Sequence, residues 1–163
     1  MIERKYYGHW IDANFGSGTA DYVRLGKDLE EYNEELNPDV EIKKNILGEQ
    51  SVHVNGYEVS SDVDPYYPEY EETLSEKLWD IANKRATGDA CKTTMVDALL
   101  KAPATEGGEP TVVWAYREDC YVVPNSIGGD TSGVQIPFTV NRAGNRVKGT
   151  FNLSTKTFTP DSE

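Results

Sequence analysis

The stretch TSGVQIPFTVNRAGNRVKGTFNL, residues 131–153, carries a regular strand pattern. In each half, apolar and polar side chains alternate, which is the period of a β-strand with one buried face. The residues that share this face are Val134, Ile136, Phe138 and Val140, then Val147, Gly149, Phe151 and Leu153. The pattern predicts a C-terminal hairpin over 131–154, with a loop of two or four residues around Ala143 and Gly144.

Pro137 interrupts the first of these strands. Proline has no N–H group, so the side of the strand towards which that group would point cannot carry a regular ladder, and the strand is an edge or is bulged there. An exposed edge can pair with another chain, which makes Gln135, Pro137 and Thr139 a candidate subunit interface. A short edge, or one covered by a loop of the same chain, explains the proline equally well.

The composition is that of one acidic globular domain. The chain has 163 residues, of which 37% are hydrophobic, and its 16 basic and 28 acidic residues give a net charge of −12. Such a balance repels nucleic acid at long range. We find no apolar run of membrane-spanning length and no secretion signal, so we expect no membrane anchor and assembly in a cytoplasm.

A second hairpin is predicted over 40–64. Asn55-Gly56 is the dipeptide that best suits a type I′ turn, and this turn pairs Val54 with Tyr57 and Val52 with Val59. The alternation continues back towards residues 40 and 42, so we expect a long hairpin with a protruding tip.

One helix is predicted over 73–87, and residues 1–36 are expected to form an extended N-terminal arm. Thr73 and Glu76 match a capping box, and Gly88 follows as a stop signal. The predicted core residues are Leu74, Leu78, Ile81, Trp114, Ile136, Phe138 and Phe151. The whole chain, 1–163, is therefore predicted to be a single mainly β (α+β) domain: a β-sandwich with one flanking helix and a long protruding hairpin.

No motif indicates catalysis, a metal or a cofactor. Phosphate-binding glycine loops, a nucleophile elbow and a zinc-protease motif are all missing from the sequence. A zinc site from Cys91, Cys120, His9 and His53 lacks paired ligand spacing. Two alternatives stay open: a carbohydrate- or host-surface-binding β-sandwich that uses its aromatic residues, and an acid-base hydrolase that uses two of the many carboxylates.

Four segments together resemble a known family. KYYGHWIDANF, YVRLGKDLEEYNEELNPDVEIKKNILGE, NGYEVSSDVDPYYPEY and GGDTSGVQIPFTVNRAGNRVKGTF are similar to the major tail protein, or tail tube protein, of long-tailed bacteriophages and prophages of Gram-positive bacteria. The resemblance implies a virion structural protein without catalytic residues. Six copies would close into a ring whose inner strands join across subunits, and the rings would stack into a tail tube for DNA delivery.

The resemblance also implies the partners and their contacts. The partners would be further copies of the chain, other tail proteins, and genomic DNA that passes through the lumen without specific binding. The N-terminal segment would bridge to a neighbour, and so would the hairpin. The hairpin residues expected at this interface are Ile46, Val52, Val54, Asn55, Gly56, Tyr57 and Val59. Such a protein would reside in the virion tail after assembly in the cytoplasm of the bacterial host.

Overall fold

The computed structural model describes residues 1–161 and is mainly β, with a curled sheet and one α-helix, which confirms the predicted fold class. The strands are β1 (Tyr7–Asp12), β2 (Tyr22–Leu25), β3 (Glu34–Glu35), β4 (Pro38–Lys44), β5 (Gln50–Tyr57), β6 (Ser60–Val63), β7 (Lys92–Lys101), β8 (Thr111–Pro124), β9 (Gly128–Asp130), β10 (Gly133–Gln135), β11 (Phe138–Arg142), β12 (Val147–Asn152) and β13 (Thr157–Pro160). The helix α1 spans Thr73–Lys84, and short 3₁₀ turns cover Arg4–Tyr6 and Gly88–Cys91.

The main sheet has nine strands and is organised around the long strand β8. Its order is β2-β1-β7-β8-β11-β6-β3. In addition, β12 pairs with β8, and β13 pairs with β12. A hydrogen bond shows that the sheet curls strongly. The Tyr7 hydroxyl on β1 donates to the Glu34 carboxylate on β3 at 3.2 Å, although the two strands are far apart in this order. The hairpins β4–β5 and β9–β10 form separate two-stranded sheets.

The predicted pairing within 131–154 is wrong. Strands β11 and β12 do not pair with each other but lie one after the other along the edge of β8 that faces away from β7. The loop between them bonds to β8 instead of turning back: the Ala143 N–H donates to the Asp119 carbonyl at 2.8 Å, and the Gly144 N–H donates to a Glu118 carboxylate oxygen at 2.8 Å.

The predicted free edge at Pro137 is also wrong. Pro137 lies between β10 and β11, and its carbonyl accepts a hydrogen bond from the Asn125 N–H at 2.8 Å. Strand β11 is paired on both sides, with Thr139 opposite Val123 of β8 and Asp62 of β6. Gln135 belongs to the separate β9–β10 hairpin. The proline therefore separates two strands, and its missing N–H interrupts no ladder.

Two hydrophobic cores lie on the two faces of the curled sheet. The concave face is covered by α1, and its core includes Ile11, Val63, Leu74, Leu78, Met95, Val122, Ile136, Phe138 and Val140. The convex face is covered by β12 and β13, and its core includes Trp10, Tyr22, Val96, Ala98, Ala115, Phe151 and Phe158. Ile81 is buried as well, whereas Trp114 is only half-buried and stacks edge-on against Tyr7 and Tyr116 outside both cores.

The N-terminal segment is not a free arm. Strand β1 pairs with β2 on one side and with β7 on the other. Trp10 and Ile11 are buried, one on each face of the sheet. Residues 7–25 are thus part of the body of the domain, because their side chains complete both cores.

The helix α1 is shorter than predicted and begins without the predicted capping box. Its N-cap residue is Glu72, so Thr73 is already helical. It ends at Lys84 because Arg85 takes the left-handed conformation with φ of 50° and its N–H donates to the Ile81 carbonyl. Among residues 1–161, no helix has the length and the apolar character needed to cross a membrane.

Candidate assembly interface

The hairpin formed by β4 and β5 is exposed over almost its whole length. Its two strands pair only with each other, over residues 38–57. Every residue of β4 is exposed, and so is every residue of β5 except Gly56, which is half-buried. At its base, the Asn37 side chain donates to the Glu58 carbonyl at 2.9 Å, which ties the two ends of the hairpin together.

The turn of this hairpin lies at residues 45–49, so the predicted turn at Asn55-Gly56 is wrong. The Asn45 side-chain oxygen accepts hydrogen bonds from the Leu47 N–H at 2.9 Å and from the Glu49 N–H at 3.0 Å. Gly48 takes a φ of +83°, which favours glycine. Asn55 is instead the extra residue of a β-bulge, since Asp39 faces Gly56 while Val40 faces Val54.

One face of the hairpin is apolar, and no part of residues 1–161 pairs with the hairpin's strands. Val40 faces Val54 and Ile42 faces Val52, and these four side chains are between 48% and 59% exposed. At the tip, Ile46 is fully exposed. The opposite face is polar. Aliphatic side chains grouped in this way on a protruding element are characteristic of a surface that another protein covers.

The predicted hairpin residues are only partly brought together on this face. Val52 and Val54 lie on it, and Ile46 is at the tip. Tyr57 is exposed at the base, and Val59 lies outside the hairpin, where its carbonyl accepts from the Arg142 N–H at 2.9 Å. The prediction omitted Val40, Ile42 and Leu47 from the interface, although the alternation in 38–44 was the signal that could have found the first two.

Behind the hairpin base, the concave face of the sheet holds a buried network of charged side chains. Arg142, whose side chain is fully buried, binds both carboxylate oxygens of Asp97 at 2.8 and 3.3 Å. His9 Nδ1 lies 2.6 Å from the same carboxylate. Glu34 and Glu118 approach the Arg142 guanidinium at 3.6 and 3.7 Å. These groups come from β1, β3, β7, β8 and β11, so the network joins strands from across the curled sheet.

The network shifts the pKa values of its carboxyl groups in opposite directions. Burial alone would raise the pKa of Asp97, but the hydrogen bond from His9 and the charge of Arg142 outweigh it and hold that pKa well below its usual range. Burial and the neighbouring Asp97 charge raise the pKa of Glu34. Glu34 carries the ion pairs that fix β3, the strand that leads into the hairpin.

The ligand atoms of His9, Glu34 and Asp97 lie within 4.8 Å of one another, a spacing that a metal ion could use. Two guanidinium groups already occupy this space, because Arg146 lies 3.6 Å from Asp97 in addition to Arg142. The arrangement is therefore an ion-pair network. The zinc ligands considered from the sequence are not brought together: Cys91 and Cys120 are free and buried in the body, and His53 is exposed on the hairpin.

Two of the aromatic residues that a sugar-binding site could use, Trp10 and Tyr66, lie on opposite faces of the sheet. Trp10 is buried in the convex core, where its ring packs against Phe151 with centroids 4.8 Å apart. Tyr66 packs edge-on against Phe138 of the concave core. These two rings are separated by the sheet, whereas Tyr67, Tyr70 and Trp79 line one groove at the surface.

Comparison with known proteins identifies solved structures with a similar fold. No protein-family model and no curated protein matches the sequence. Among solved structures, the sheath/tube terminator of an extracellular contractile injection system, PVC, is similar with a TM-score of 0.53 and 10% identity, over 92% of this chain and 97% of that chain. The tube-terminating cap of the anti-feeding prophage is similar with a TM-score of 0.53 and 12% identity, over 92% of this chain and 91% of that chain. At these identities the likeness concerns the fold alone, which this chain shares with that terminator and that cap.

Proposed function

We propose that this protein is a structural subunit of a phage-tail-like tube, in which six copies close into a ring and the rings stack. The observation that carries the proposal is the exposed apolar face of the 38–57 hairpin on a fold shared with tail-tube-terminating proteins. In an isolated molecule this face is an aggregation hazard, whereas in a closed assembly each copy covers it for its neighbour. The role is structural and requires no catalytic residue.

The other implied partners follow from the same assembly. Further tail proteins would contact the ends of the tube, and genomic DNA would pass through its lumen. With a net charge of −12, the subunit can line the bore mainly with acids, so that DNA slides past without the counterion-releasing contacts that hold it to basic proteins. We expect assembly in the host cytoplasm and residence in the tail of the particle.

A second candidate function is the terminating ring at the end of such a tube. Two solved structures with a similar fold are a tube terminator and a tube-terminating cap. The two candidates differ in their products, because a tube subunit stacks without limit whereas a terminator forms one ring and stops.

Negative-stain electron microscopy of concentrated protein tests the proposal. The variant Val52→Thr/Val54→Thr keeps the shape and the β-propensity of both side chains but makes the apolar face polar. We expect rings or tubes from the wild type, and dispersed, folded molecules from this variant, as judged by circular dichroism. The matched control is Glu41→Gln/His53→Gln on the opposite face, which should assemble like the wild type.

Two results would contradict the proposal. One is a wild-type protein that stays dispersed at every concentration. The other is a threonine variant that builds the same rings or tubes in the same yield. Tubes from the wild type favour the tube subunit, and uniform single rings favour the terminator.

A further inference from the structure

A second exposed apolar surface lies on the far side of the body, in a groove around Trp79 between α1 and the β9–β10 hairpin. Besides Trp79, the groove is lined by Ile127 and Val134, which are 45% and 54% exposed, and by Tyr70, whose side chain is fully exposed. Trp79 reaches the concave core with part of its ring. Its remaining surface forms the floor shared by the two halves of the groove.

The rim of the groove is acidic. Glu69, Glu71, Glu76 and Asp130 line it, and no lysine or arginine does so among the described residues. Glu69 is paired with Lys27, but Glu71 and Glu76 have no ion-pair partner within residues 1–161. An occupant of this groove should therefore combine aliphatic side chains with a positive charge.

The hairpin of the same protein has this combination. Lys44 faces Gln50 and so lies on the same face as Val40, Ile42, Val52 and Val54, at the tip end of the apolar row. Within the described part of the chain, Lys44 has no ion-pair partner. Lys43, by contrast, lies on the polar face and pairs with Glu41 at 3.4 Å.

We propose that the apolar face of the hairpin of one copy lies in the Trp79 groove of a second copy, with Lys44 against Glu71 and Glu76. This assignment rests on the proposed assembly function and adds the surface that receives the hairpin. The contact joins two different surfaces, so it is heterologous, and successive contacts of this kind generate a ring when the rotation closes. The aliphatic side chains cover the Trp79 floor, and the charged pairs fix the register at the rim.

Complementary charge reversal tests this pairing between copies. Lys44→Glu places an acid against an acidic rim, and Glu71→Lys/Glu76→Lys places bases against a basic hairpin tip. We expect each variant alone to raise the concentration needed for assembly about tenfold, because like charges across an interface are costly. Lys43→Glu is the matched control, since Lys43 points away from the apolar face, and it should assemble like the wild type.

The decisive sample is an equimolar mixture of the two charge-reversed proteins. If each hairpin enters the groove of another copy, alternating copies compensate every contact, and the mixture should assemble at about the wild-type concentration. Sedimentation and electron microscopy measure the assembled fraction, and circular dichroism shows that both variants are folded.

The outcomes distinguish a wrong assignment of the groove from a wrong proposal of the assembly function. A mixture that assembles no better than its components, or a Lys44→Glu protein that assembles like the wild type, overturns the groove assignment while wild-type assembly still supports the proposed function. Assembly that responds to Val52→Thr/Val54→Thr but not to these charge changes assigns the hairpin to another surface. A wild-type protein that never assembles removes both proposals.

Discussion

Arg142 shows how strongly single residues organise this fold. Its side chain is fully buried, and three carboxylates, Glu34, Asp97 and Glu118, lie within 4.0 Å of its guanidinium. Burying a charge is unfavourable unless partners of the opposite sign surround it, and the folded arrangement of five strands supplies such partners to Arg142. The network thus links residues far apart in the sequence into one unit.

Asp97→Asn should therefore destabilise the protein strongly at pH 7. The substitution leaves the Arg142 charge buried without its closest partner, and we expect a loss of about 3–5 kcal/mol in the free energy of unfolding. Urea denaturation measures it. Asp80→Asn is the control, because Asp80 pairs with Lys84 on the exposed surface of α1, where such a pair contributes at most about 0.5 kcal/mol. Equal losses in the two variants would mean that the network does not stabilise the fold.

The same network predicts a dependence on pH. The pKa of Asp97 is held low in the folded state. The contribution of Asp97 to the free energy of unfolding is therefore complete above the pKa of the unfolded chain, about 3.9, and declines as the pH falls below that value. Glu34 changes the stability in the opposite direction. Because its pKa is raised in the folded state, the native protein takes up this proton before the unfolded chain does, which favours the native protein as the pH falls. The difference in the free energy of unfolding between the wild type and Asp97→Asn should therefore become smaller below about pH 4. A difference that stays constant down to pH 3 would contradict this assignment.

At this scale the sequence predicts packing better than charge. The helical spacing of Leu74, Leu78 and Ile81 follows from one period, and all three side chains are buried. His9, Asp97 and Arg142 carry no local signal, because what brings them together is the curl of the sheet. Trp114 illustrates the same limit: its parity in β8 is compatible with a buried face, but the core on that face reaches only Cys120 and Val122 of the strand.

The hairpin is the element on which the proposed function depends, and its turn is set by Asn45 and Gly48. Gly48→Val forces a β-branched residue into the left-handed region, which costs about 1–2 kcal/mol. Because the hairpin forms its own two-stranded sheet, this cost should fall on the hairpin alone. We expect its amides to exchange roughly 5–30 times faster, with little change in unfolding of the body and with impaired assembly.

Gly56→Val is the matched substitution within the same hairpin. Gly56 lacks a positive φ, and a Cβ atom built there meets nothing within 4 Å. This variant should exchange and assemble like the wild type. Faster amide exchange in Gly56→Val than in Gly48→Val would indicate that the turn lies at Asn55-Gly56, which contradicts the observed register.

The sequence indicates the existence of this hairpin more reliably than its register. Asn55-Gly56 is a strong turn signal, but the stretch 45–49 offers a competing turn in which one asparagine side chain satisfies two backbone N–H groups. Placing the turn there pairs Val40 with Val54 and Ile42 with Val52 over a longer ladder. In this register, Asn55 is the extra residue of a β-bulge and Asn55-Gly56 forms no turn. Local propensity does not decide between the two registers.

At the scale of the whole molecule, the class of the fold could be predicted but its connections could not. Alternation in 131–153 predicts the buried face only in part: Phe138, Val140 and Phe151 are buried, whereas Val134 and Val147 are exposed. That β11 and β12 both pair with β8 instead of with each other depends on the length of β8, which offers one edge to two successive partners. The free edge predicted at Pro137 is closed within the chain, so the case for assembly now rests on the hairpin.

A cryo-electron microscopy map of the assembled particle, at a resolution that traces strands between neighbouring copies, tests the central claim most directly. We expect rings of six copies in which the apolar face of each 38–57 hairpin is buried against another copy, around a lumen lined mainly by acidic side chains. A particle in which the hairpin projects into solvent without a partner, or whose lumen is basic, would contradict the claim.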